Sequence, residues 1–299
     1  MMKQWSLFFF NLILAPQVSW AAACCGGSLA TPSLIAGDEK ALFSATYSFT
    51  EVVVDSVDSR GIWHKWDQHQ KVQTLKIDGA HLISDRWQIG ATVPVMQRSR
   101  IDGSDSGLGD ISVSLAYEYL PDWNYNPIRP KGIGFLQLIL PGSKARAESD
   151  QGGLDSRGNG FWALGIGTHL SKTLGRSDVF GSLAIHRSFP KVFSNSSFQG
   201  TLEPGFGGNF VLGGGCSFGP VRIGGSLTWT YEDPVRIRGN FWSEGTPERY
   251  ATAVLSASYF SGDAWTGAFS FSDQTLIGHP VNTSLGKTVS FMLQKRWNR

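Results

Sequence analysis

The amino-acid sequence predicts an all-β fold, an up-and-down antiparallel transmembrane β-barrel of about twelve strands. Three observations carry that expectation. After residue 40 the chain reads as about twelve short runs in which apolar and polar residues alternate. Long and short connections separate those runs in turn. A stretch built like an export signal precedes them all.

The N-terminus comes first. Lys3 precedes an apolar stretch from Trp5 to Ala15 containing Leu7-Phe8-Phe9-Phe10, and Ala21-Ala22-Ala23 follows. A charged start, an apolar middle and small residues at the end describe a secretory signal peptide over residues 1–23. Nowhere else does an unbroken apolar segment approach the roughly 18 residues of a membrane helix. Cleavage after Ala23 leaves Cys24 first, and lipidation at Cys24 is a second reading of this border. Ala21 stands where lipoprotein signals usually carry Leu, which favours plain cleavage. Cys24, Cys25 and Cys216 form neither a disulfide framework nor a metal-ligand spacing, so no cofactor or metal is expected. Residues 24–40, with Pro32-Ser33-Leu34-Ile35, read either as a periplasmic tail or as a small plug folded into the barrel. The barrel itself takes residues 41–299.

Composition agrees with a wall wet on one side. Hydrophobic residues make up 41% of the chain, and mean hydropathy is −0.11. Those values suit a sheet in which half of every strand faces water. The 36 Gly, 11 Trp and 19 Phe fit crowded strands and interfacial aromatics. A formal charge of +2, or +1 once Lys3 is removed, argues against a nucleic-acid partner.

The expected strands are 41–54, 70–81, 86–97, 109–120, 132–141, 159–170, 178–189, 204–216, 220–232, 249–259, 264–272 and 286–297. In Ile111-Ser112-Val113-Ser114-Leu115-Ala116-Tyr117-Glu118-Tyr119 the odd positions are apolar and the even ones small or polar. Successive strand side chains point to opposite faces, so the odd set meets lipid. Val221, Ile223, Gly225, Leu227, Trp229 and Tyr231 do the same, with Arg222, Gly224, Ser226, Thr228, Thr230 and Glu232 turned inward. In the last strand Val289, Phe291, Leu293 and Trp297 alternate with Thr288, Ser290, Gln294 and Arg296. Strand 132–141 alternates less cleanly, because Ile133, Phe135 and Ile139 oppose Leu136, Leu138 and Leu140. An inner plug or wall packing would absorb that surplus.

The long connections are 55–69, 98–108, 142–158, 190–203, 233–248 and 273–285; the short ones are 82–85, 171–177, 217–219 and 260–263. In a meander this alternation gathers all long loops at one end, as in outer-membrane barrels. Residues 121–131 fall where a short turn belongs and are longer than the pattern asks. A strand of about ten residues at roughly 3.3 Å each, tilted by about 40°, spans the apolar band. Aromatics mark both borders. Trp87, Tyr119, Tyr259, Trp265 and Trp297 fall at the short-turn end; Phe49, Trp162, Phe189, Trp229, Tyr231 and Phe271 fall at the long-loop end. An exported soluble β-sandwich explains the alternation but not the two classes of connection.

The final strand resembles the C-terminal assembly signal of outer-membrane proteins, with Trp297 as its aromatic and Asn298-Arg299 beyond it. Ser106-Gly107-Leu108-Gly109-Asp110, leading into a strand, resembles a motif of the transporter-like outer-membrane barrels named for a meta-pathway of phenol degradation. Leu140-Pro141-Gly142 and Gly158-Asn159-Gly160 are similar to that family's strand borders, the first without its Thr or Ser. The resemblance spans roughly residues 85–297 of the chain. It implies a barrel that passes small, hydrophobic or aromatic molecules.

Inward ionisable groups are the candidate lumen-lining residues: Lys76, Asp78, Asp110, Glu118, Arg222, Glu232 and Arg296. A charge inside a barrel needs water or a partner, so pairs across the lumen and mild ion selectivity are expected. A structural or adhesive barrel is the alternative function. Catalysis is weighed separately. Outer-membrane phospholipase A is also a twelve-stranded barrel, with a His-x-Ser motif along one strand face. This chain has His169-Leu170-Ser171 and His186-Arg187-Ser188, but both fall on the inward side and no Asn or Asp stands at a matching distance to orient either imidazole. The expectation is therefore a monomeric, non-enzymatic channel in the bacterial outer membrane, in contact with membrane lipid and passing a small-molecule solute.

Overall fold

Alternation gives each run one apolar and one polar edge, and the backbone of a lipid-facing sheet must satisfy every N–H and C=O within itself. The computed structural model describes residues 32–66, 68–124, 126–194, 199–239, 242–262 and 264–299. Residues 1–31, with the expected signal peptide and Cys24, lie outside it.

Twelve wall strands follow in order: β1 (Glu39–Val57), β2 (Lys71–Leu82), β3 (Trp87–Arg100), β4 (Ile111–Leu120), β5 (Lys131–Leu140), β6 (Ala163–Leu174), β7 (Ser177–Ser188), β8 (Phe206–Phe218), β9 (Val221–Glu232), β10 (Glu248–Ser261), β11 (Trp265–Asp273) and β12 (Thr283–Asn298). Each pairs antiparallel with the next. β12 returns to β1 in a register from Glu39↔Asn298 to Val57↔Thr283, so the barrel closes without a free edge. Two-residue periodicity sorts the side chains as expected. Leu115, Ile223, Trp229, Phe291 and Leu293 stand exposed on the outer face, and both aromatic borders lie on it. Ser114, Glu118 and Thr230 on the same strands turn inward and are buried.

Several borders differ from expectation. The strand placed at 159–170 begins at Ala163, because Gly160 adopts φ +72° and donates its N–H to Asp110. That positive φ makes Gly158-Asn159-Gly160 a turn rather than a strand start. In the connection 98–108, β3 runs on to Arg100 and Gly103–Leu108 folds back along it. Connections 190–203 and 233–248 are not irregular. Lys191–Ser194, Gln199–Glu203, Arg236–Gly239 and Trp242–Glu244 form a four-stranded antiparallel sheet beyond the barrel wall. Its inner face carries Phe193, Leu202, Val235 and Ile237, which pack on Ala145 and Phe161 of the loop 141–162. Short apolar alternation within a polar loop is enough to build that sheet.

The overlong turn 121–131 is pinned at the opposite end. Lys172 Nζ reaches Asp122 at 3.0 Å, and the Arg86 guanidinium lies 4.8 Å from the centroid of the Trp123 ring. Asn126 Oδ1 accepts from the N–H groups of Ile128 and Arg129, closing a local turn.

Candidate functional site

The lumen is the only large interior a closed barrel of this kind can offer, and strand register decides which side chains line it. Starting from Ser44↔Asp78 and Asp78↔Thr92, the inward set continues round the wall through Gln88, Ala116, Ile133, Phe135 and Ala184. It closes through Thr228, Thr252, Ser270, Ser290 and Ser48.

The two halves of this lining behave differently. Along β3 to β7 the inward residues are packed: Met96, Ala116, Ile133 and Phe135 are at most 3% exposed. Their cover is the segment before β1. Leu34 packs on the cluster of Ala116, Ile133, Phe135 and Ala184. Ile35 is buried and held on both sides of its peptide unit: its N–H donates to Gln88 Oε1 at 2.6 Å, and Gln88 Nε2 donates to its carbonyl at 3.3 Å. The Ser33 carbonyl lies so close to Gly90 that a Cβ there would sit 2.4 Å from it. Lys131 Nζ donates to the Gly37 carbonyl at 3.3 Å. The surplus apolar residues of β5 thus meet apolar side chains from Pro32–Ile35.

Along β9 to β1 many inward residues stay half-exposed although they face the interior, while Thr230, Thr266 and Ser44 are buried. Thr228, Thr252, Ser256, Ser270, Ser290, Ser48 and Thr50 form a hydroxyl-rich wall, interrupted by Val254 and Met292. Ser48 and Ser290 share a hydrogen bond at 2.9 Å, and Thr50 and Thr288 share one at 2.8 Å. Such a wall is polar without carrying charge.

The register turns Lys76, Asp78, Glu118, Arg222, Glu232 and Arg296 inward. The expected pairs across the lumen do not form. Each group instead pairs along the wall, because neighbouring inward side chains are closer than the far side. Lys76 pairs with Asp78 at 3.1 Å, and Asp78 also accepts from Thr92 and Ser44. Glu118 pairs with Lys131 at 3.4 Å, and Arg296 with Glu39 at 3.2 Å. Arg222 grips Asp178 with two bonds, at 2.7 and 2.6 Å, and Glu232 meets His186 at 3.1 Å. Both of these last pairs join β7 to β9 across β8. They can do so because β8 presents Gly215 and Gly207 there: a Cβ at either would collide with the bridging side chains.

Asp110 anchors the loop 141–162, its carboxylate accepting from Gly142 N–H at 3.1 Å and Gly160 N–H at 3.0 Å. Burial raises its pKa, and the amides of Gly160, Gly142 and Asn159 draw it back down. The anchored loop folds inward. Ala145, Leu154 and Phe161 are buried, Arg157 pairs with Asp105 and donates to the Leu108 carbonyl, and Lys191 pairs with Glu148 at 2.7 Å. Arg146 is buried in this loop, which lowers its pKa, while the charge of Glu248 at the start of β10 raises it again. The loop between β5 and β6 therefore reaches towards β10 across the long-loop mouth.

The histidines of the two His-x-Ser pairs have different surroundings. His169 stacks on Phe180 at 6.1 Å between centroids, and His186 directs Nε2 to Glu232. Glu232 is thus an acid beside an imidazole that the search for Asn and Asp passed over. Sequence reasoning also passed over Gln88, Asp178 and Lys131. Strand parity places Asp178 beside the inward Ser182 and Ala184, and that signal was available; Gln88 carries no motif at all.

No protein-family model matches the chain. Among solved structures it is similar to the COG4313 outer membrane channel from Pseudomonas putida F1, with a TM-score of 0.69 and 14% identity over 89% of this chain and 97% of that one. It is also similar to the deltaS2S3 mutant of the TodX monoaromatic hydrocarbon channel, with a TM-score of 0.48 and 9% identity over 88% and 91% of the two chains. The first likeness establishes the fold as that of a bacterial outer-membrane barrel. Closure of the sheet and the apolar outer belt are the features of a barrel that spans a lipid bilayer.

Proposed function

We propose that this chain is a monomeric outer-membrane channel passing small neutral solutes, hydrophobic ones among them, through a bore narrowed at both ends. The observation that supports this reading is the asymmetric lining: Met96, Ala116, Ile133, Phe135 and Ala184 are packed shut on one side, while Thr228, Thr252, Ser256, Ser270, Ser290, Ser48 and Thr50 stay half-exposed on the other. A barrel filled for structural purposes alone has no reason to leave a hydroxyl-rich wall open. Hydroxyls interspersed with Val254 and Met292 suit solutes that carry both apolar surface and a few polar atoms.

In this reading residues 1–23 direct export, residues 24–40 form a plug entering from the short-turn end, and residues 41–299 form the channel. Cleavage after Ala23 leaves Cys24 as the first residue, with lipidation there as the second reading of the border. Lys76, Asp78, Glu118, Arg222, Glu232 and Arg296 tune the wall rather than select strongly, because each has a partner of opposite sign or a protonatable one. Asp110 acts by holding the inner loop. Proteoliposome swelling tests the reading. Vesicles bearing the folded chain should swell in small neutral sugars and small neutral aromatics, with little preference between cations and anions of similar size. Absence of swelling in every solute contradicts the channel and leaves a structural barrel.

A further inference from the structure

Outside the barrel, a cleft of about 500 Å³ lies where the four-stranded loop sheet meets the wall, lined in part by Arg187, Glu203, Asp233, Arg236 and Arg238. Its position follows from register. Leu183, Ile185 and Arg187 occupy alternate, outward positions on β7, the first two standing exposed in the lipid-facing band. Arg187 is the last of the three, at the long-loop end. Its strand partner on β8 is Phe206, 53% exposed, and the guanidinium lies 4.6 Å from that ring's centroid. Directly above, Arg236 and Arg238 alternate with Ile237, whose side faces the buried cluster of the loop sheet, so both guanidiniums face outward. A ledge of three arginines, with Glu203, Asp233 and Glu244 beside them, thus caps the apolar belt at its long-loop end.

The acids nearby are largely spoken for. Arg236 meets Glu244 through Nε at 2.7 Å, and Arg238 meets Glu203 through Nε at 3.1 Å. Contacts made through Nε orient a guanidinium and leave its two terminal amino groups to a further acceptor. Asp233 accepts from Phe206 N–H and from the Tyr231 hydroxyl. Arg187 has no carboxylate partner among the described residues. Planar, paired donors of this kind match phosphate oxygens in a bidentate manner.

Resting on the outer-membrane reading above, we infer that Arg187, Arg236 and Arg238 bind a phosphate of the lipid A headgroup in the outer leaflet, its acyl chains lying on the apolar belt beneath. Continuity between ledge and belt selects a lipid over a free anion, because a dissolved phosphate has no use for the exposed Phe206 and Ile185 below.

The test uses the full folded chain in detergent with bisphosphorylated lipid A, dephosphorylated lipid A and inorganic phosphate, read by native mass spectrometry. Bisphosphorylated lipid A should bind the wild type, and R187Q/R236Q/R238Q should weaken it by about tenfold or more, the loss of at least one charge-assisted contact. R187K, which keeps charge but loses the planar fork, should fall between. Dephosphorylated lipid A should bind the wild type and the triple variant equally weakly. Equal binding of bisphosphorylated lipid A to wild type and triple variant overturns the inference. So does inorganic phosphate competing as well as the lipid. Heat-modifiable gel migration separates the two layers of the argument: if the wild type does not migrate as a folded barrel, the outer-membrane reading itself is what fails.

Discussion

Ser290 and Phe291 are adjacent in sequence and face different solvents. Phe291 stands 56% exposed on the outer face, between Tyr47 and Phe269 on the neighbouring strands, while Ser290 shares a hydrogen bond with Ser48 inside. Phe291→Arg should destabilise the barrel in lipid by about 2–4 kcal/mol, the cost of an arginine near the bilayer midplane. Ser290→Arg should cost far less, since the lumen wall there is hydrated. Urea unfolding in vesicles, followed by tryptophan fluorescence, measures both; equal costs contradict the assignment of faces. This difference was legible in the sequence, because a period of two leaves no third face to choose. The ion pairs were not. Arg222 and Asp178 lie on strands two apart and meet over Gly215, which neither their spacing nor their charges announce. Only register puts a glycine between them.

Among the elements, the loop 141–162 shows how one side chain organises many residues. Asp110 holds the loop at both ends through Gly142 and Gly160, and the loop in turn supports the four-stranded sheet through Ala145 and Phe161. Hydrogen bonds to a charged acceptor contribute about 1.5–3 kcal/mol each. Asp110→Ala should therefore free the loop without dissolving the barrel. The expected result is faster trypsin cleavage at Lys144 or Arg146, with unchanged heat-modifiable migration; unchanged cleavage contradicts the anchoring role. The sequence signalled the border residues Ser106 to Asp110 but not the loop that Asp110 holds, because no motif links Asp110 to Gly142 and Gly160. Likewise the apolar residues of connections 190–203 and 233–248 were read as loop. Strands of three to five residues are too short for periodicity to declare them; they form because the loop below offers Leu202 a place to be buried.

At the scale of the whole molecule, closure, strand number and the gathering of long loops at one end all follow from alternation and connection length. Where the lumen is open does not. That depends on Pro32–Ile35 lying along the wall, where Gln88 grips Ile35, and no motif in the sequence announces that contact. In the proposed function the bore conducts and this segment narrows it. Single-channel recording in planar bilayers, comparing the wild type with Q88A and with a chain lacking residues 32–37, tests that most directly. Discrete openings in the wild type, with larger conductance in both variants, are the predicted result. Silence in all three, or wild-type openings that neither change enlarges, would contradict it.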